Sequence, residues 1–197
     1  GKIGIATLHS PGKLNSLTLE MVELLGEQLQ TWESDAQIGC VVLRSSNDKA
    51  FCAGADIRQL NASIGESQHG ERLIAAERFF EWEYRLDYLI HCYSKPLIAW
   101  GHGIVMGGGL GLFAGAGFRV VTDSSQLAMP EVTIGLFPDV GASWFLNKMP
   151  AHLGCFIGLT AARLNAADAL YAGLADIALP HIAQKDVLAD LQQLNWR

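Results

Sequence analysis

Two acids, Glu131 and Asp139, stand in the otherwise apolar run Met129-Pro130-Glu131-Val132-Thr133-Ile134-Gly135-Leu136-Phe137-Pro138-Asp139-Val140-Gly141. Carboxylates in such a setting can move a proton or attack as nucleophiles. Upstream lies Gly103-Ile104-Val105-Met106-Gly107-Gly108-Gly109-Leu110-Gly111, a glycine run that opens an apolar helix predicted from Gly107 to about Ala114. The first N–H groups of a helix have no internal partner, and its dipole is positive there. Without Cβ atoms at Gly107, Gly108 and Gly109, a ligand oxygen can come close to those donors. Each feature also has a plain reading. The glycines would equally permit tight packing of the helix on its strand. Asp139 would serve as an N-cap for a helix from Val140. Glu131 would be a strand-edge acid, although Ile134, Leu136 and Phe137 beside it do not suit a solvated face. No Gly-Lys-Ser/Thr follows the glycines, so this is not a phosphate-binding loop.

Two further stretches could contribute. In Phe51-Cys52-Ala53-Gly54-Ala55-Asp56-Ile57-Arg58, small residues crowd around Gly54 before a polar pair. This is either a strand-to-helix turn capped by Asp56 or a loop whose N–H groups are left for a ligand. A long helix is predicted from Glu71 to about His91, with Phe79, Trp82, Leu86, Leu89 and Ile90 on one stripe. Glu83 falls on that stripe, four residues after Phe79. It either reaches water or an arginine at the stripe's edge, or it borders a substrate pocket. Cys52 has no histidine paired with it by pattern and reads as structural.

The elements that must position these groups alternate between strand and helix. Lys2 to Leu8 alternates as a strand. A helix capped within Asn15-Ser16-Leu17-Thr18 runs to about Asp35. Cys40 to Leu43 and Pro96 to Trp100 are buried strands, Phe118 to Thr122 is another, and Gln126 to Met129 is a short one. Asn61 to Gly70, polar and glycine-containing, reads as a mobile loop or lid edge. Short helices are expected at Leu153 to Leu159, Ala166 to Ala172 and Lys185 to Leu194. The mixture defines an α/β class, with residues 1–197 as one core domain. Half of the residues are hydrophobic, so the chain can bury a real core. A net charge of −6 argues against a nucleic-acid partner. No apolar run reaches the roughly 18 residues of a membrane span. The four scattered cysteines (Cys40, Cys52, Cys92, Cys155) read as reduced, buried thiols of a reducing compartment, and neither they nor the six histidines form a metal pattern.

The Phe51–Arg58, Gly103–Leu112 and Met129–Gly141 stretches, in that order, resemble the crotonase (enoyl-CoA hydratase/isomerase) superfamily from Lys2 to Pro180. The Met129–Gly141 run and the Glu83-Tyr84 pair most resemble its 3-hydroxyisobutyryl-CoA hydrolase group. Typical hydratases carry a second catalytic glutamate where this chain has Gly111. The resemblance implies a spiral of β-β-α units, a homo-oligomer and a coenzyme A thioester as substrate, with no separate cofactor. It implies an oxyanion hole from the backbone N–H groups of Ala55 and Gly108, and a pantetheine path along Ala55, Asp56, Ile57 and Arg58. Glu131 would be nucleophile or general base. Asp139 would orient the acyl hydroxyl or protonate the leaving thiolate, and Glu83 would contact the substrate. Lys13, Lys49 and Arg58 are candidates, on charge alone, for the coenzyme A phosphates. The hydrolases continue beyond a point such as Trp196 with further helices, so native C-terminal helices are expected to be missing here. The expected location is the cytoplasm, or the mitochondrial matrix in a eukaryote. Three functions compete: a 3-hydroxyacyl-CoA hydrolase, a single-glutamate hydratase or isomerase, and a coenzyme A-binding assembly module without turnover.

Overall fold

The computed structural model describes residues 2–66 and 69–196. Its strands are β1 (Lys2–Leu8), β2 (Ile38–Ser45), β3 (Ala50–Cys52), β4 (Leu97–Gly101), β5 (Ile104–Met106), β6 (Phe118–Val121), β7 (Gln126–Ala128) and β8 (Ile177–Ala178). Its α-helices are α1 (Leu19–Ser34), α2 (Ile57–Glu66), α3 (His69–His91), α4 (Gly108–Gly115), α5 (Ala142–Phe145), α6 (Leu153–Thr160), α7 (Ala166–Tyr171) and α8 (Gln184–Gln193).

The strands form two parallel sheets. One has the order β1-β2-β4-β6-β8 and the other β3-β5-β7. From β2 onward, consecutive strands therefore go to different sheets. The pairs β2–β3, β4–β5 and β6–β7 each give one strand to each sheet, and helices return the chain for the next pair. This is the expected spiral of β-β-α units. Parallel strands are covered on both faces, which is why they read as continuous apolar runs. Val41, Val42 and Leu43 of β2 and Ala50, Phe51 and Cys52 of β3 are all buried. Phe118, expected in a buried strand, is exposed, because β6 buries only its Val120–Val121 end.

Thr18 caps α1, accepting a hydrogen bond from the Met21 N–H at 3.2 Å. The region expected to be a mobile loop, Asn61–Gly70, is helical at 61–66 and 69–70, and residues 67 and 68 lie outside the described residues. Its polar composition hid an amphipathic helix, α2, that lies against α3. Along α3, Phe79, Leu86 and Ile90 enter the core, and Trp82 and Leu89 are half-buried. On the opposite wall, α4 is buried from Gly108 to Ala114. It packs so tightly on β3 that a Cβ at Gly109 would collide with the Cys52 carbonyl oxygen. Backbone cannot yield there as a side chain can. Gly109→Ala should therefore destabilise the fold by about 3 kcal/mol in a denaturant melt. Gly12→Ala, where a Cβ meets nothing within 4 Å, should stay within about 0.5 kcal/mol.

Candidate active site

Two turns meet at the N-terminus of α4. After β5 the chain turns through Gly107, whose φ of +54° suits a residue without a Cβ. The Gly107 N–H donates to the Ala128 carbonyl at 3.2 Å. The next N–H, that of Gly108, is the first of the helix and has no acceptor among the described residues. The other turn follows β3. The Leu17 N–H donates to the Gly54 carbonyl and the Asp56 N–H to the Leu17 carbonyl, both at 2.8 Å. This short bridge passes over the Ala55 N–H, which also has no acceptor among the described residues. The turns touch, since a Cβ on Gly54 would lie 3.4 Å from the Gly108 nitrogen.

Ala55 and Gly108 open onto one cleft of about 200 Å³, shared with Ile57, Phe80, Glu83, Glu131, Leu136 and Asp139. Glu131 opens a 3-10 turn (Glu131–Ile134) after Pro130 and is 6% exposed. Its Oε1 lies 3.0 Å from where a Cβ on Gly107 would stand, and its Oε2 has no hydrogen-bond partner among the described residues. Glu83, 1% exposed, comes in from α3 and packs its carboxyl on the Gly108 Cα, its Oε1 without a partner among the described residues. Asp139 accepts a hydrogen bond from the Tyr84 hydroxyl at 2.7 Å. It is not the helix cap. Gly141 caps α5 in a left-handed conformation, and Asp139 contributes only its backbone carbonyl, to the Ala142 N–H.

Crowding and burial set the charge of these acids. Burial pushes the Glu131 carboxyl up to about 7, and Asp139 adds to the rise. Glu83 is pushed up to about 8 by burial, then by Asp139 and Glu131. At neutral pH, then, Glu83 holds its proton and Glu131 is about half ionised. The cleft combines two backbone donors for a developing negative charge with one ionisable base and one neutral acid.

The remaining sequence-derived positions divide. Ile57 lines the cleft, but Asp56 and Arg58 are not among its lining residues. Asp56 turns to Lys13 at 2.7 Å and caps α2 at the Gln59 N–H, at 3.0 Å. The Lys13 ammonium holds its carboxyl below the usual range. Arg58 is exposed, and neither Lys13 nor Lys49 lines the cleft. Cys52 is fully buried, its thiol pushed up to about 12 by burial, and its sulfur accepts from the Gly54 N–H. Such a thiol is inert, whereas Cys92 and Cys155, also expected to be buried, are exposed. No group of three or more His, Cys, Asp or Glu among the described residues could hold a metal ion. No helix among them is long and apolar enough to cross a membrane.

Sequence reasoning missed Asp87. It is 8% exposed, and neither carboxyl oxygen has a hydrogen-bond partner among the described residues. It lines a second, larger cavity of about 600 Å³ whose walls are mostly apolar. The available signal was its place four residues after Glu83, on the same face of α3.

A two-sheet β-β-α spiral carrying paired backbone donors and acids in one cleft defines a crotonase-like protein. A family model described as enoyl-CoA hydratase/isomerase matches residues 3–197, and the chain belongs to that family. It is similar to the mitochondrial 3-hydroxyisobutyryl-CoA hydrolases of Danio rerio (40% identical) and Homo sapiens (41%), in each case over 98% of this chain and 48% of the relative. It is also 41% identical to the small ribosomal subunit protein mS47 of Neurospora crassa, over 85% of this chain and 33% of that protein. Among solved structures, an enoyl-CoA hydratase from Rhodobacter sphaeroides superposes with a TM-score of 0.91 at 37% identity, over 97% of this chain and 56% of that one. A carnitinyl-CoA dehydratase from Mycobacterium thermoresistibile gives 0.90 at 39%, over 96% and 54%. The chain spans about half the length of the curated hydrolases that it matches.

The buried acids make stability depend on pH. In the folded protein the Glu83 carboxyl titrates at about 8, above its ordinary 4.5. Its favourable neutral contribution is complete below pH about 4.5 and is lost as pH rises through about 8. Glu83→Gln should therefore stabilise the protein by a few kcal/mol at pH 9 and by little at pH 4, as read by thermal melts at the two pH values.

Proposed function

We propose that this chain is the core of an acyl-CoA thioester hydrolase acting on a 3-hydroxyacyl-CoA such as 3-hydroxyisobutyryl-CoA, a step of valine breakdown. The observation that carries the reading is the pair of unpartnered N–H groups at Ala55 and Gly108, opening with Glu131 onto one cleft. The similarity to the named hydrolases supplies the substrate class.

In this reading the thioester carbonyl oxygen accepts from both N–H groups. The Glu131 carboxylate attacks the carbonyl carbon, and negative charge grows on that oxygen. Losing one such fixed donor typically costs about 3 kcal/mol of barrier. The C–S bond then breaks, leaving a mixed anhydride and the coenzyme A thiolate. Water cleaves the anhydride to the free acid and restores the Glu131 carboxylate, and its remaining proton goes to the thiolate. Glu83, neutral beside Gly108, contacts the substrate without repelling the oxyanion. Asp139, steadied by Tyr84, orients the acyl hydroxyl. Pantetheine enters past Ala55 and Ile57. The chemistry needs no cofactor beyond the coenzyme A of the substrate. We place the protein in the mitochondrial matrix of a eukaryote or the cytoplasm of a bacterium, as a homo-oligomer without nucleic-acid or membrane partners.

Hydration by two glutamates is disfavoured at Gly111. A Cβ there would stand 2.6 Å from the Val140 Cβ, so this backbone has no room for a second glutamate. A non-catalytic assembly role has one observation in its favour, the similarity to the ribosomal protein mS47.

Thiol release from 3-hydroxyisobutyryl-CoA by the full-length protein separates these readings. Glu131→Gln should lower kcat by about 10²–10⁴-fold. In the unaltered protein kcat/KM should rise with pH through about 7, where Glu131 ionises. Full activity in Glu131→Gln contradicts the mechanism. Conversion of crotonyl-CoA without thiol release points to the hydratase or isomerase, and acyl-CoA binding without any product points to the assembly module.

A further inference from the structure

Asp87 is buried, its side chain has no hydrogen-bond partner among the described residues, and it has no part in the mechanism above. Buried carboxyl oxygens in folded proteins are nearly always paired, so two without a partner on one residue require an explanation. Their surroundings suggest one. Asp87 lines the larger cavity, about 600 Å³, together with Gly111, Phe137, Trp144, Phe145 and others. Its Oδ1 lies 3.0 Å from where a Cβ on Gly111 would stand, so the glycine keeps that side of the carboxyl uncovered. Among the described residues Asp139 alone lines both this cavity and the cleft holding Ala55, Gly108 and Glu131. A group oriented by Asp139 is thus at the boundary of the space that Asp87 faces.

We propose that Asp87 is a specificity-determining residue whose carboxyl hydrogen-bonds an uncharged oxygen, hydroxyl or carbonyl, on the part of the acyl group that reaches past Asp139 into the larger cavity. The proposal rests on the acyl-CoA reading above and extends it from the reacting carbonyl to the far end of the acyl group. The apolar walls accept the hydrocarbon portion. Burial, with Glu83 and Asp139 nearby, holds the Asp87 carboxyl well above the usual carboxylate range. It therefore keeps a proton to donate as well as an oxygen to accept. The same crowd of acids disfavours an acyl group that ends in a carboxylate.

The test uses two 2-oxoalkyl thioethers of coenzyme A, which keep the carbonyl but cannot be hydrolysed. One ends in a methyl group and the other, with an equal chain, in a hydroxyl. Calorimetry on the full-length protein should show the hydroxyl-ended compound binding about tenfold more tightly than its partner. Asp87→Leu should abolish that preference and leave the methyl-ended affinity within about twofold. Asp87→Asn, whose amide still donates, should keep it. Asp87→Ala replaces the leucine variant if that one does not fold. A wild-type protein without the preference overturns the proposal, as does a preference that survives Asp87→Leu or Asp87→Ala. A purely structural Asp87 would weaken both compounds equally, which also overturns it. If neither compound binds, the acyl-CoA reading falls as well. An intact preference, with no thiol released from the matching thioesters, upholds Asp87 and rejects only hydrolysis.

Discussion

The contact between the turn at Gly54 and the turn at Gly107 decides the rest of the site. Each turn satisfies its neighbouring N–H groups within the protein, through Ala128 on one side and Leu17 on the other. Each passes over one donor, Gly108 or Ala55. Donors left unpaired at a cleft wall lower stability slightly and are poised for an oxygen that carries negative charge. Because both are main-chain groups, their aim is set by the backbone of two parallel sheets and not by a rotamer. The α4 dipole adds positive potential at the same point.

Placing acids around that point has a thermodynamic consequence. Glu83, Asp87, Glu131 and Asp139 come from two segments far apart in sequence, yet Asp139 adds to the rise in proton affinity that burial gives Glu83, Asp87 and Glu131. Four like charges in so small a volume cannot all be present at neutral pH. Glu83 and Asp87 therefore stay protonated, while Glu131 sits near its midpoint. A general base poised near the working pH combines a correct charge state with good proton-accepting strength. The fold gives up some stability for this arrangement, as functional sites commonly do.

Much of this was legible before any coordinates. The uninterrupted apolar run of β2 marked a strand covered on both faces. The stripe of α3 put Glu83 among Phe79, Leu86 and Ile90, where a carboxylate needs a reason. The apolar neighbours of Glu131 argued against a solvated surface. Other features depended on partners distant in sequence. Lys13, a phosphate candidate on charge alone, is paired with Asp56, 43 residues away. Asp139 looked like a helix cap by position, but Gly141 takes that place and frees its carboxyl for Tyr84. The α2 segment has loop-like composition and becomes helical by lying against α3, since tertiary packing overrides weak propensity. Asp87 was harder to single out, because much of the wall of the cavity that gives it importance comes from Phe137 to Phe145, 50 or more positions further on.

A structure of the full-length protein with a 2-oxoalkyl thioether of coenzyme A bound tests the central claim most directly. The account predicts the carbonyl oxygen within about 2.7–3.1 Å of both the Ala55 and Gly108 nitrogens, with the Glu131 carboxylate facing the carbonyl carbon. A carbonyl held by side chains elsewhere, with either backbone nitrogen turned away from it, would contradict the account.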